Sequence, residues 1–102
     1  MFRIHKTKEF INWLNNLKDT TAQTHIVTRI IRLEAGLFGN VKYFSGIGEL
    51  KITHGKGYRV YFIKKGNEII ILLNGGNKAT QQKDIEKALK MVKELKDGNY
   101  TF

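Results

Sequence analysis

The N-terminal third of the chain combines a short extended pattern with two helical ones. Apolar and polar residues alternate over positions 2–5, which predicts a short strand. Thr7 is a suitable N-cap for a first helix, in which apolar residues recur three and four positions apart, namely Phe10, Ile11, Trp13, Leu14 and Leu17. Thr20 and Gln23 fit a capping box that opens a second helix, which ends near Ala35. The short break between the two helices predicts a helical hairpin.

The predicted second helix has an apolar side and a polar side. Its apolar stripe consists of Ala22, Ile26, Ile30 and Leu33, and is widened by Val27 and Ile31. The opposite side holds His25, Arg29 and Arg32.

From Val41 onward the apolar residues recur with a period of two, which is typical of strands. Extended segments follow one another over residues 41–44, 49–53, 58–63 and 68–74, joined by turns that contain glycine. The uninterrupted apolar run from Ile69 to Leu73 predicts a strand buried on both faces in the middle of the sheet. Thr80 caps a last helix, which has Asp84 in its first turn and ends near Gly98.

These elements predict an α+β fold. The N-terminal helical hairpin packs on one face of a mainly antiparallel sheet, and a C-terminal helix closes the chain. We expect one domain over residues 1–102, because a single core typically serves about 100–200 residues. The helices cover one sheet face, so we expect the other face to remain available for function.

The charge balance indicates the class of partner. Eighteen Lys and Arg against nine Asp and Glu give a formal net charge of +9, and so basic a domain is attracted to polyanions, nucleic acid first. No apolar run approaches the ~20 residues that cross a bilayer, and residues 1–9 lack the apolar stretch of a secretory signal. We therefore expect no membrane contact and a cytoplasmic location.

The residues offer little for metal or cofactor chemistry. The chain has no cysteine, which excludes disulfides and thiol catalysis. His5, His25 and His54 lie on different predicted elements without metal-ligand spacing. The glycines match neither a phosphate loop nor a dinucleotide-binding pattern. We expect no metal and no cofactor.

Strand alternation gathers cations at one end of the sheet. Leu50 and Ile52 face the helices, so Lys51 between them faces the other way. The same alternation on the next strand turns Arg59 and Tyr61 to that opposite face. The strand after it runs back antiparallel and returns to the same end, so we expect a basic rim there. Its members are Lys51, His54, Lys56, Arg59 and Lys78.

The basic rim suits phosphodiester chemistry on RNA. A guanidinium in the middle of a sheet needs an anionic partner, which for Arg59 is a phosphate or, alternatively, Glu49 or Asp84. Arginine and lysine can hold a scissile phosphate and offset the charge that develops on it. RNA supplies its own nucleophile, the 2′-OH, and His54 or Lys56 is the candidate for proton transfer. Tyr61 offers a stacking surface for a base.

The ordered motifs of the chain resemble those of a toxin family. They are Phe10-x-x-Trp13-Leu14, Arg29-Ile30-x-Arg32-Leu33, Gly48-Glu49-Leu50-Lys51-Ile52, Gly57-Tyr58-Arg59-Val60-Tyr61-Phe62 and Leu72-Leu73-x-Gly75-Gly76-x-Lys78-x-Thr80-Gln81-x-x-Asp84-Ile85-x-x-Ala88. This set is similar to the HigB-like branch of the RelE/ParE toxin superfamily, the addiction-module killer proteins, over nearly the whole chain.

The resemblance implies a RelE-like fold and the toxin of a type II toxin–antitoxin pair. The partner it implies is a HigA-like helix-turn-helix antitoxin, through which alone the toxin reaches operator DNA. Nucleases of the superfamily cut mRNA on the ribosome. By position, Arg59 and Lys78 match their basic residues, Lys51 corresponds more loosely, and His54 and Lys56 occupy a loop where relatives have further basic groups.

One departure from the family leaves the general base open. Several superfamily nucleases have a tyrosine in the C-terminal segment, whereas here Thr80, Gln81 and Asp84 stand at the start of the last helix, where we expect RNA contacts. ParE-type members of the same fold inhibit DNA gyrase and lack the nuclease residues. The leading hypothesis is therefore an mRNA endoribonuclease, and the alternatives are a gyrase inhibitor and a plain nucleic-acid-binding module.

Overall fold

A computed structural model describes residues 1–98 of the chain. Its elements, in chain order, are β1 (Arg3–Lys6), α1 (Lys8–Asn15), α2 (Thr20–Glu34), β2 (Val41–Phe44), β3 (Ile47–Ile52), β4 (Tyr58–Lys65), β5 (Ile69–Gly76), a 3₁₀ turn (Lys78–Thr80) and α3 (Gln81–Lys96). The predicted α+β fold with a mainly antiparallel sheet is confirmed, and it is compatible with a RelE-like fold. The prediction of a single domain includes residues 99–102, which lie outside the described part.

The five strands form one sheet in the order β1–β5–β4–β3–β2. The pairs β2–β3, β3–β4 and β4–β5 are antiparallel, whereas β1 pairs in parallel with β5. β5 therefore has a strand on each side, and the sheet is covered on both faces around it: Ile70 and Leu72 belong to one apolar cluster, Ile71 and Leu73 to the other. The predicted burial of this strand on both faces is confirmed, whereas the middle of the sheet is occupied by β4, and β5 is the interior strand next to it.

The helical hairpin packs on one face of the sheet, as predicted. Residues of α1 and α2 form a buried cluster with β3, β4 and β5, which includes Phe10, Ala22, Ile26, Ile30, Leu33, Leu50, Val60, Phe62 and Leu72. Thr7 caps α1 by accepting a hydrogen bond from the backbone N–H of Phe10. The cap predicted for α2 was wrong by one residue, because Asp19 accepts from the N–H of Ala22 (3.0 Å) while the Gln23 amide donates to the carbonyl of Leu14.

The outer side of α2 differs from the helical-wheel expectation in two ways. Val27 and Ile31 do not widen the buried stripe, because their exposed fractions are 43% and 60%. Arg29 reaches the sheet instead of standing free on the polar side. Its guanidinium donates to the carbonyls of Lys51, Phe38 and Asn40 at 2.6, 3.2 and 3.3 Å, and so ties α2 to the segment before β2 and to β3.

The second face of the sheet is not open, which corrects the expectation that it remains available. α3 crosses it and builds a separate apolar cluster, whose buried members are Ile47, Tyr61, Ile71, Leu73, Ala88 and Met91. At the start of α3, Thr80 forms no side-chain cap. The Asn77 side chain accepts from the N–H groups of Ala79 and Thr80 and so caps the 3₁₀ turn.

Candidate functional site

The register of β3 and β4 sets two cations side by side. Lys51 is directly opposite Arg59, and Arg59 is in turn opposite Gly76 of β5. Residues directly opposite each other in an antiparallel pair project to the same face, so Lys51 and Arg59 both lie on the α3 face. Lys51 is exposed, whereas only 5% of Arg59 is exposed.

The loop between β3 and β4 brings Lys78 to the same place. The backbone N–H of Lys78 donates to the carbonyl of Lys56 at 3.2 Å. Gly57, the next residue, has φ +70°, and a Cβ placed there would lie 3.0 Å from Nη1 of Arg59 and 3.6 Å from Cβ of Lys78. Glycine at this position therefore allows Arg59 and Lys78 to approach the loop closely. We refer to Lys51, Lys56, Arg59 and Lys78 as the cationic site.

Arg59 is buried without a neutralising charge. Its Nη1 donates to the carbonyl of Gly57, while its Nε is buried and has no hydrogen-bond partner among residues 1–98. No carboxylate of the described residues lies within 4.0 Å of its guanidinium: neither Glu49 nor Asp84 forms the ion pair that was the alternative. A buried cation with spare donors is unfavourable unless an anion meets it.

Glu49 instead belongs to a buried hydrogen-bond network under the first turn of α3. Its Oε2 accepts from the hydroxyl of Tyr61 at 3.1 Å and from the side-chain amide of Gln81 at 2.9 Å. Burial raises the pKa of Tyr61 well above its usual value, and the charges of Glu49 and Asp84 raise it further, against an opposing contribution from Arg59. Tyr61 is therefore a neutral hydrogen-bond donor at physiological pH.

Two residues predicted to contact RNA are already engaged within the protein. Tyr61 has no exposed surface, so its ring offers nothing for a base to stack on, and that prediction was wrong. The reason is α3, which lies over the face that strand alternation assigned to Tyr61. Gln81 remains half-buried, with its amide bound to Glu49. Its predicted contact with RNA stays a prediction.

Thr80 and Asp84 lie over Gly76, next to the cationic site. A Cβ at Gly76 would fall 1.7 Å from Oδ2 of Asp84 and 2.8 Å from Oγ1 of Thr80, so the first turn of α3 rests directly on the backbone of β5. The Thr80 hydroxyl donates to the Asp84 carboxylate, and the Asn74 amide donates to the backbone carbonyl of Asp84 at 3.0 Å. Thr80 is exposed and Asp84 half-buried, so RNA contacts by them also stay predictions.

His54 points to α2 rather than joining the cationic site. Its Nε2 lies 3.3 Å from Oδ2 of Asp19, and its ring stacks on that of His25 with centroids 4.8 Å apart. The N–H of Ala22 lowers the pKa of Asp19 against the effect of desolvation, and His54 lowers it further. Of the predicted basic rim, Lys51 lies opposite Arg59, and Lys78 approaches the same end through Gly57 and the backbone of Lys56. The side chain of His54 instead contacts Asp19 and His25. A shared role of these cations in RNA binding stays a prediction.

Among the described residues, no three His, Asp or Glu side chains are grouped so that they could hold a metal ion. No helix within residues 1–98 is long and apolar enough to span a membrane.

The comparison with known proteins decides the family. Residues 12–96 match the family described as "Phage derived protein Gp49-like (DUF891)". The chain belongs to the Gp49-like family. It is also 45% identical over 94 residues to an uncharacterized protein of Haemophilus influenzae, an alignment that covers 91% of this chain and 95% of the relative. The Gp49-like family is of the RelE/HigB-like toxin type, which assigns the chain at a coarse level to the toxins of toxin–antitoxin systems and implies an antitoxin partner.

The Gp49-like chain also has site features that reasoning from the sequence missed. One is the Glu49–Gln81 hydrogen bond, which joins β3 to α3 across 32 positions of sequence. The alternation that turned Lys51 to the second face also turns Glu49 there, so the sequence could have predicted that Glu49 lies on that face. The burial of Glu49 could not be predicted, because nothing in the local pattern fixes where α3 packs.

Proposed function

We propose that this Gp49-like protein is the toxin of a type II toxin–antitoxin module and acts as a metal-independent mRNA endoribonuclease on the ribosome. The observation that supports this most is that the guanidinium of Arg59 is buried beside Lys51 without a counter-charge. It also lies close to the β3–β4 loop, whose Lys56 carbonyl binds the backbone of Lys78. A phosphodiester supplies the anion that the folded protein itself does not give Arg59.

In the proposed reaction, Arg59 and Lys78 hold the scissile phosphate and Lys51 positions the RNA. The 2′-oxygen of the RNA attacks the adjacent phosphorus, and the bond from phosphorus to the 5′-oxygen of the next nucleotide breaks. The cations offset the negative charge that grows on the phosphoryl oxygens. The products are a 2′,3′-cyclic phosphate and a free 5′-hydroxyl.

Proton transfer is the second requirement of this reaction. A base takes the proton of the 2′-OH and an acid returns one to the leaving 5′-oxygen. Lys56 is exposed and adjacent to Lys78, which favours it over His54, whose ring is held by Asp19 and His25. To take part in proton transfer, the His54 side chain would first have to break its contacts with Asp19 and His25.

The proposed partner is a HigA-like antitoxin with a helix-turn-helix domain, which alone contacts operator DNA. Since the toxin has a formal net charge of +9, an acidic antitoxin segment suits it.

A gyrase inhibitor is the second candidate, and one observation favours it. Only 5% of Arg59 is exposed, and its Nη1 is bound within its own chain. An arginine so enclosed can also serve the fold alone. A non-nuclease would leave mRNA intact while it stalls replication.

Incubation of translating ribosomes with the purified protein, followed by mapping of the mRNA ends, tests the proposal. We expect cuts with cyclic-phosphate and 5′-hydroxyl ends that persist in EDTA. Arg59→Ala combined with Lys78→Ala should lower the cleavage rate by about 100-fold or more, as removal of preorganised charge stabilisation does in other enzymes.

Arg32→Ala combined with Lys90→Ala is the matched control, because it removes two exposed positive charges outside the cationic site. Equal cleavage by the two double variants would contradict the assigned roles. Intact mRNA together with double-strand breaks in DNA would favour the gyrase inhibitor instead.

A further inference from the structure

Two cavities meet at the C-terminal end of α1. The first, of about 290 Å³, lies between α1 and α3 and is lined by residues that include Asn12, Trp13, Asn16 and Asp84. The second, of about 530 Å³, lies between the α1–α2 connection and the β3–β4 loop, and its lining includes Asn16, Lys18, Lys56 and Asn77. Asn16 lines both cavities, which places them next to each other. We call the two together the end groove.

The end groove exists because β1 stops early. The last pair between β1 and β5 is Lys6 with Leu72, and Thr7 then donates its backbone N–H to the carbonyl of Leu72 and its hydroxyl to that of Leu73. Beyond this point β5 has no strand on its outer side. Trp13 moves in over Gly75, where a Cβ would lie 2.3 Å from the indole, and a cleft remains between α1 and α3.

The groove lining combines the three kinds of group that bind single-stranded nucleic acid. The aromatic group is the indole of Trp13, which is half-buried and lies with its ring centroid 6.5 Å from that of the buried Tyr58. Side-chain amides that can donate to and accept from base edges come from Asn12 and Asn16. Asn77 offers its Nδ2 as a donor, since its Oδ1 caps the 3₁₀ turn. Ammonium groups for phosphates come from Lys18 and Lys56.

The acidic residues of the end groove already have partners. Glu9 of α1 forms an ion pair with Lys87 of α3 at 2.7 Å, Asp19 lies against His54, and Asp84 accepts from Thr80. The amides and lysines are therefore the groups left to meet a ligand.

We propose that the end groove binds the single-stranded RNA nucleotides next to the scissile phosphate. The inference rests on the proposed function for the position of that phosphate. Lys56 belongs to both the cationic site and the end groove, and its carbonyl accepts from the N–H of Lys78. A strand whose phosphate lies at Arg59 and Lys78 therefore continues directly past Asn77 and Asn16. Amide recognition of its bases in this groove restricts where the RNA is cut.

Binding can be measured apart from cleavage. The probe is a 2′-O-methyl hexaribonucleotide of mixed sequence, which lacks the 2′-OH nucleophile and stays intact. Trp13 is the single tryptophan of the chain, so its fluorescence reports directly on the end groove. We expect a saturable change in Trp13 emission, and a dissociation constant that rises with salt because lysines contact phosphates.

The decisive variant is Asn16→Asp, with Asn15→Asp as its matched control. Both side chains are exposed at the end of α1, and of the two only Asn16 lines the cavities. Asn16→Asp should weaken binding about tenfold, the equivalent of one good contact, while Asn15→Asp should stay within about twofold of wild type. Lys18→Gln, compared with Lys8→Gln, tests the same surface through a second residue.

The outcomes separate this inference from the proposed function. Affinities of Asn16→Asp and Lys18→Gln that equal those of their controls, or an unchanged Trp13 emission, would overturn the end groove even if the wild type cuts mRNA. If the protein binds the RNA probe in the end groove as expected but cuts no mRNA, the inference about the groove is supported and the nuclease proposal is wrong.

Discussion

The two faces of the sheet are built differently. The face under α1 and α2 is filled mainly by apolar side chains, and the buried polar groups beside them are the hydroxyls of Tyr58 and of Thr7 at the start of α1. The face under α3 also has an apolar cluster, but three of the four buried polar or charged residues described lie on or beside it, namely Glu49, Arg59 and Asn74. Buried polar groups lower stability unless they are fully paired, and Arg59 and Asn74 each keep an unpartnered atom. We infer that the first face stabilises the fold and that the second gives up stability for the site.

The largest expected effect is on the apolar face. Phe62 is fully buried there, against the rings of Phe38 and Tyr43 and the backbone of Gly48. Phe62→Ala should lower the free energy of unfolding by about 3–5 kcal/mol, which is much of the stability of a domain of this size. Urea unfolding followed by circular dichroism measures it. Tyr61→Phe, the neighbouring position on the other face, should lower it far less, and equal losses would erase the distinction between the faces.

Two consecutive glycines of β5 allow the packing on the two faces to be compared within one strand. A Cβ at Gly75 would meet the rigid indole of Trp13 at 2.3 Å on the α1 side, whereas a Cβ at Gly76 would meet the Asp84 carboxylate on the α3 side. A carboxylate can rotate away, whereas the bulky indole of the half-buried Trp13, which packs against Phe10 and Tyr58, has less room to move. We therefore expect Gly75→Ala to cost about 3 kcal/mol and Gly76→Ala about 1 kcal/mol.

Thermal unfolding of the two glycine variants gives the comparison. Adding Asp84→Ala to Gly76→Ala should recover part of the loss, since it removes the group that the new Cβ meets. A Gly76→Ala variant less stable than Gly75→Ala would mean that α3 is held more tightly than its polar contacts suggest.

The smallest effect concerns pH. Because the pKa of Tyr61 is raised in the folded protein, the unfolded chain loses this proton first, from about pH 10 upward. The contribution of Tyr61 to stability is fully present below that pH and is lost as pH rises, by up to about 1.4 kcal/mol per pH unit. Tyr61→Phe should therefore flatten the alkaline fall in stability.

Urea unfolding between pH 8 and pH 11 measures that slope. Tyr43→Phe is the control: partial burial raises the pKa of Tyr43 as well, but 58% of the residue is exposed. Its substitution should change the slope less than that of Tyr61. Identical slopes for the two variants would mean that the buried network around Glu49 does not hold Tyr61 in its neutral form.

Local patterns predicted the elements and part of the site. The alternation around Leu50 and Ile52 correctly predicted the face on which Lys51 lies. The antiparallel order of the strands correctly predicted that Lys78 lies at the same end of the sheet as Arg59. Both conclusions depend only on strand period and on short turns. They needed no knowledge of the helices.

Errors arose where distant segments compete for the same group. Strand alternation correctly turned Tyr61 away from α1 and α2, but it could not show that α3 would bury it. His54 was placed in the basic rim by its position in a turn, and Asp19 and His25 of the helical hairpin hold its side chain. Arg29 read as a polar-side residue and is bound by three carbonyls from other segments.

The sequence by itself determined the periods of helix and strand, the interior position of β5, the excess of positive charge and the resemblance to toxins. These properties are local or additive, so they can be predicted without knowledge of the packing. The tertiary structure alone decided that α3 covers the second face, that Arg59 is enclosed without a counter-charge, and that the early end of β1 opens a groove. Each of these depends on contacts between residues far apart in the chain, which no local periodicity records.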